Sequence, residues 1–126
     1  MILGLGVDIV EIDRMRHMLE AQSDRLIQRI FTESEAAYAL AHVEPALHFA
    51  ARVAAKEATY KALSGNHLAR AVGWREIEVR LRDDGAPYLA FHGRAMERAE
   101  ELGVVRTLVS LTHSKAAAVA VVVLER

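Results

Sequence analysis

Three places in the sequence hold side chains whose types and spacing could do chemistry. The first is Asp8, set in the apolar run Gly4-Leu5-Gly6-Val7-Asp8-Ile9-Val10. A carboxylate inside an apolar strand is costly without a partner. It is either a structural acceptor of backbone or arginine hydrogen bonds or a functional group held in place. The second is Arg52-Val53-Ala54-Ala55-Lys56-Glu57-Ala58-Thr59-Tyr60-Lys61. Residues four apart lie on neighbouring turns of one helix face, which pairs Arg52 with Lys56 and Glu57 with Lys61. By themselves these charges read as a solvated stripe with one weak ion pair or as part of a site. The third is His113, beside Ser114 and Lys115 at a bend between two apolar runs. Loop tips are polar for many reasons, so its position alone does not decide its role.

The elements that must position these residues follow from periodicity. Ile2 to Ile12 reads as a strand whose nearly continuous apolar pattern predicts cover on both faces. From Asp13 the spacing turns helical, with Met15, Met18 and Leu19, then Leu26, Ile27 and Ile30 after a break near Ser23-Asp24. Thr32 to Glu35 has the form of a capping box that starts a helix running to about His42. Pro45 suits the first turn of a long, alanine-rich helix to Leu63, with Gly65 just past its end.

Ile77 to Leu81 and Pro87 to Phe91 read as strands around the turn Asp83-Asp84-Gly85. Arg94 to Leu102 reads as a short helix stopped by Gly103. Val104 to Thr112 and Ala116 to Leu124 are the last two strands. The fold class is α+β, with antiparallel strands and a long central helix. At 126 residues the chain reads as a single domain, 1-126.

Composition narrows the function classes. The net charge of −1 gives no global pull toward nucleic acid or an anionic membrane. With no cysteine there is no disulfide framework, thiolate nucleophile or cysteine-based zinc site, which is compatible with a cytoplasmic protein. The apolar N-terminus lacks a basic leader and is interrupted by Asp8, against a signal peptide. The longest apolar run, Ala116 to Leu124, is far shorter than the roughly 20 residues of a membrane-spanning helix.

Taken together, these motifs resemble a known family, the holo-acyl-carrier-protein synthases. Gly4 to Arg14 (GLGVDIVEIDR) resembles the family's opening G-x-G-x-D-x-V-x-x-x-R, and Phe31 to Glu35 its short second block. Arg52 to Leu63 is similar to the central R-F-A-A-K-E-A-x-x-K-A-L helix. Ser110 to Lys115 resembles the S-[IL]-[ST]-H-[ST] hairpin. The blocks occur in order and span almost the whole chain. Two departures stand out: Val53 replaces an aromatic, and Ser64-Gly65-Asn66-His67 differs from the common G-T-G.

The resemblance implies a 4'-phosphopantetheinyl transferase-like fold and a defined reaction. A carrier-protein serine attacks the β-phosphate of coenzyme A, 4'-phosphopantetheine moves, and adenosine 3',5'-bisphosphate leaves. It implies Mg²⁺ held by Asp8 and Glu57, with Asp8, Glu57 and Lys61 as the catalytic set. Arg52, Lys56, Lys61, Gly65, His113 and Ser114 would bind the coenzyme. The base that takes the serine proton stays open between Glu57 and a metal-bound water oriented by Asp8.

The carriers of this family are acidic. Arg14 to Arg29 carries four arginines against Glu20 and Asp24, so this face is expected to dock the carrier, with Arg14 and Arg25 as contacts. A homotrimer with active sites between protomers and a place in fatty-acid synthesis follow from the resemblance alone. The alternative reading is a non-catalytic module that binds coenzyme A or a nucleotide. It would keep Arg52, Lys56 and His113 but would not need Asp8 and Glu57 together.

Overall fold

A computed structural model describes residues 1–126. In chain order the elements are β1 (Ile2–Glu11), α1 (Ile12–Ile30), α2 (Glu33–Leu40), α3 (Pro45–Leu63), α4 (His67–Arg70), a 3-10 turn (Trp74–Glu76), β2 (Ile77–Leu81), β3 (Pro87–Phe91), α5 (Gly93–Leu102), β4 (Arg106–His113) and β5 (Ala117–Glu125). The α+β class is as expected. β1, β5 and β4 form one antiparallel sheet in that order, and β2 and β3 form a separate hairpin.

The first strand thus completes a sheet built from the end of the chain. Asp8 stands opposite Ala120, and His113 stands opposite Ala118 on the far side of β5.

Helix α3 lies across the inner face of this sheet, and small residues bring it close. Ala54, Ala55, Ala58 and Ala62 are all buried along it. On the facing strand, a Cβ added to Gly6 would lie 1.8 Å from the Ala58 carbonyl oxygen, and one at Gly4 would lie 2.3 Å from that of Ala62. Two residues along a strand advance about 6.6 Å, and four along a helix advance about 6 Å. Strand and helix therefore stay in step, backbone against backbone. This contact places the rest of β1, including Asp8, against the middle of α3.

The outer face of the sheet differs from expectation. The apolar run of β1 predicted cover on both faces, yet Leu5, Val7 and Ile9 are 65%, 54% and 63% exposed. Their partners across the register are Val123, Val121 and Val119. Within one chain only the inner face is covered, because all the helix packed on this sheet comes from that side.

The capping box of α2 is present in full: Thr32 caps Glu35, and Glu35 returns to the Thr32 N–H. The break in α1 is a kink, with Ser23 at φ 36° inside an otherwise continuous helix. Helix α2 stops at Leu40, short of His42. Helix α4 and the 3-10 turn were not foreseen, since segments this short carry no readable period.

Candidate active site

Asp8, Glu57 and Lys61 face one cleft of about 510 Å³ between β1, α1 and α3. Val53, Glu57 and Lys61, spaced four apart, form its helix wall. Val10, Met15, Met18 and Trp74 give it an apolar floor, and Arg14 sits at its edge. The Lys61 ammonium lies 2.9 Å from Asp8 Oδ1 and donates to the Val7 carbonyl at 3.1 Å. The Asp8 side chain is mostly buried, whereas that of Lys61 is half exposed.

Glu57 is the titratable group this arrangement shifts. Burial pushes its carboxyl above the usual range, the Asp8 charge pushes it further, and Lys61 pulls it back. Asp8, Glu11 and Glu57 line one partly dry cleft, and carboxylate oxygens are hard donors of the kind Mg²⁺ takes. The residues present fit such an ion.

Lys56, expected among the coenzyme-binding residues, has a side chain that is 1% exposed and paired with Glu35 at 2.8 Å. It also donates to the carbonyls of Trp74, at 3.0 Å, and Ile77. An ammonium has three donors, and all three are used inside the core. Burial draws Lys56 below its ordinary value, against the pull of Glu35. Here Lys56 joins α3 to α2 and β2, and it lines a smaller cavity of about 280 Å³ that shares Glu57 and Trp74 with the cleft.

The partner of that buried lysine was missed as a candidate. Glu35 was read only as a helix cap, but its other oxygen also accepts the Val79 N–H at 2.8 Å. A carboxylate that caps a helix can serve a second element, and the sequence carries no mark of that.

Arg52 is 4% exposed and lies 4.4 Å over the Tyr38 ring. It donates to the His48 carbonyl at 3.3 Å, while its Nε has no partner. It lines a separate cleft with Thr32, Ser34, Glu78 and Arg80. Nearby, burial first, then the charges of His42, Arg52 and His113, hold the His48 imidazole below its ordinary value.

His113 and Ser114 are not brought to Asp8 within one chain, because β5 separates β4 from β1. They line a different cleft, with Arg16, Glu44 and Lys115. Ser114 Oγ accepts the N–H groups of Ala116 and Ala117 at 3.1 and 3.3 Å and so shapes the bend. Gly65 follows α3 at φ +133°. Arg14 and Arg25 are exposed on α1, and neither is engaged in an ion pair.

A strand crossed closely by an alanine-rich helix, with a carboxylate from each and a lysine one turn on, defines a class. Residues 4–122 match the 4'-phosphopantetheinyl transferase superfamily, and the chain belongs to it. Within that family it is 44% identical over 126 residues to the holo-[acyl-carrier-protein] synthase of Geobacter sulfurreducens, covering 100% of this chain and 99% of that one.

Among solved structures, the holo-[acyl-carrier-protein] synthase of Neisseria meningitidis aligns over 100% of both chains, at 27% identity and a TM-score of 0.87. A holo-(acyl-carrier-protein) synthase of Bacillus anthracis, in complex with CoA (3',5'-ADP), aligns over 98% of this chain and 96% of that one, at 36% identity and a TM-score of 0.77.

Proposed function

We propose that this enzyme moves 4'-phosphopantetheine from coenzyme A to a serine of an apo-acyl carrier protein and releases adenosine 3',5'-bisphosphate. The observation that carries the reading is the meeting of Asp8 and Glu57, from a strand and a helix, in one cleft beside Lys61. A module that only binds nucleotide has no need of that meeting. Family membership and the coenzyme A complex of the Bacillus anthracis relative support it.

In the reaction the serine oxygen bonds to the β-phosphorus, and the bond from that phosphorus to the bridging oxygen breaks. The electron pair leaves with the nucleotide phosphate. Asp8 and Glu57 would hold Mg²⁺, which supplies charge neutralisation at the diphosphate when bound. Lys61 adds a second positive charge beside that position. Its hold on Val7 and Asp8 keeps the ammonium over the cleft. Glu57, which lines the cleft beside Asp8 and Lys61, receives the serine proton in this reading. The apolar floor of Val10, Met15, Met18 and Trp74 limits water around the reacting groups.

Carrier docking on α1 belongs to the same proposal. Arg14 at the cleft edge and Arg25 beyond the Ser23 kink offer unpaired guanidinium groups to an acidic helix. A homotrimer accounts for two further facts. The sheet's outer face exposes Leu5, Val7, Ile9, Leu108 and Val121 side by side, a contiguous apolar patch of the kind that marks an interface. A neighbouring protomer packed there could also supply His113 and Ser114, which lie apart from Asp8 in a single chain. Action in the cytoplasm, serving fatty-acid synthesis, completes the proposal.

The test is the intact mass of an apo-carrier incubated with this protein, coenzyme A and Mg²⁺, with and without chelator. A gain of about 340 Da, the mass of the transferred group, is expected only without chelator. No gain with any carrier in a panel would overturn the reading.

A further inference from the structure

The turn that ends α3 is held from outside the cleft by α5. Arg98 has a side chain only 10% exposed, and all three of its nitrogens donate. Nε bonds the Leu63 carbonyl at 2.8 Å, Nη2 the Ser64 carbonyl at 3.0 Å, and Nη1 the Glu101 carboxylate at 2.8 Å. The last carbonyls of a helix have no partner within it, so here a guanidinium fork supplies one. Glu101 also accepts from Asn66 Nδ2 at 2.8 Å, and Asn66 Oδ1 caps the Ala69 N–H at 2.9 Å.

Gly65 lies between these anchors. Its φ of +133° strains any other residue, and a Cβ there would sit 3.1 Å from Arg98 Nη2. The loop Ser64–Asn66 is therefore fixed on both sides of its glycine by one pair of α5 residues. Within the chain the backbone N–H groups of Gly65 and Asn66 donate to nothing, so the loop keeps two free donors. Lys61, in the cleft, lies one turn of α3 before it.

We propose that Arg98 is a positioning residue for the transfer: it sets the path of Ser64–Asn66 so that the loop's free N–H groups and Lys61 meet the diphosphate of coenzyme A together. This rests on the functional reading above. It also accounts for how a loop that departs from the family's glycine-rich sequence keeps one defined shape. A lysine at position 98 could reach only part of this set, since a guanidinium presents several donors in one plane.

Coenzyme A binding by calorimetry and steady-state transfer kinetics test it on Arg98→Met, Arg98→Lys and Glu101→Ala, each with its fold verified by thermal melting. For Arg98→Met the coenzyme A Kd and KM should weaken about tenfold, the scale of lost charged hydrogen bonds, with the carrier KM nearly unchanged. Arg98→Lys should recover part of the loss. Unchanged coenzyme A affinity in a folded Arg98→Met overturns the proposal, as does a carrier KM that rises as much as the coenzyme A KM. Should Arg98→Met not fold, Glu101→Ala decides: it removes the shared acceptor of Arg98 and Asn66, and an unaltered coenzyme A KM sinks the idea. If the unaltered chain binds no coenzyme A, the functional reading itself fails.

Discussion

Lys61 Nζ stands 2.9 Å from Asp8 Oδ1, so this carboxylate of the cleft is already paired with a cation of the same chain. An arriving metal ion must therefore compete with an ammonium. Lys61 is half exposed, and such pairs are worth about 0–1 kcal/mol. Lys61→Ala should consequently tighten binding of Mn²⁺, in the absence of coenzyme A, by up to about fivefold on that scale. Transfer should fall about 100-fold or more, because a charge beside the diphosphate is gone. Calorimetry and the carrier mass assay read the two effects separately. Metal affinity unchanged in the variant would mean that Lys61 does not compete for Asp8.

The coupling between the two carboxylates can be read without any ligand. Burial raises the Glu57 pKa first, the Asp8 charge second, and Lys61 opposes both. Asp8→Asn removes the second cause and leaves the lowering one, so Glu57 should titrate at lower pH than in the unaltered chain. Carboxyl-selective carbon-13 NMR follows this directly. A Glu57 midpoint that stays put would place the two groups outside each other's field, too far apart to share an ion.

The approach of β1 to α3 makes Gly6 a sharper test of the architecture. A Cβ there meets the Ala58 carbonyl oxygen at 1.8 Å and its carbon at 2.7 Å, and both are backbone atoms. No rotamer relieves the clash. Gly6→Ala should cost about 3 kcal/mol or more by overpacking, and should lose transfer in whatever folds, because Asp8 rides on the displaced strand. Gly85→Ala is the comparison: its φ is +88° but nothing lies within 4 Å, so only backbone strain of about 1 kcal/mol is expected. Denaturant melts of the two variants compare the costs, and similar values would remove the close contact as the reason for Gly6.

Local patterns made much of this legible. Pro45 and the alanine run set α3 to its observed ends, and Thr32 with Glu35 announced the start of α2. The period of four placed Glu57 and Lys61 on one wall. What stayed hidden is set by packing between distant segments. Lys56 sits one residue from Glu57, about 100° around the helix, and that turn carries it into the core toward Glu35. The separation of His113 from Asp8 depends on β5 lying between their strands, an order the pattern of apolar residues leaves undetermined. The exposed face of β1 has the composition of a covered one.

The buried Lys56–Glu35 pair makes its own prediction. Breaking a buried ion pair by removing one partner costs about 3–5 kcal/mol, since the other charge is left unpaired. Lys56→Met should lose that much in chemical denaturation, while the folded fraction keeps its coenzyme A affinity. A phosphate ligand would behave oppositely, with affinity lost and stability kept, so the two measurements together decide which role Lys56 has.

Glu78 ties β2 to the start of α2, and its chemistry predicts how the protein meets acid. Burial alone would raise its pKa, but hydrogen bonds from Ser34, His92 and Thr32, with the Arg80 charge, bring it down to about 2 from 4.5. A carboxyl whose folded value is depressed stabilises the fold fully above its unfolded value. That stability is lost as pH falls from about 4.5 toward about 2. The side chain is 7% exposed but Arg80 and His92 beside it are about half exposed, so solvent screens part of the shift and it contributes on the order of 1–3 kcal/mol at neutral pH. Glu78→Gln should therefore be markedly less stable than the unaltered chain at pH 7, and the gap should close across the acid window. Urea denaturation at a series of pH values measures the gap. A difference that stays constant down to pH 2 would show that the Glu78 charge contributes nothing, leaving its hydrogen bonds to Thr32 and Ser34, at 2.8 and 2.7 Å, as purely neutral contacts.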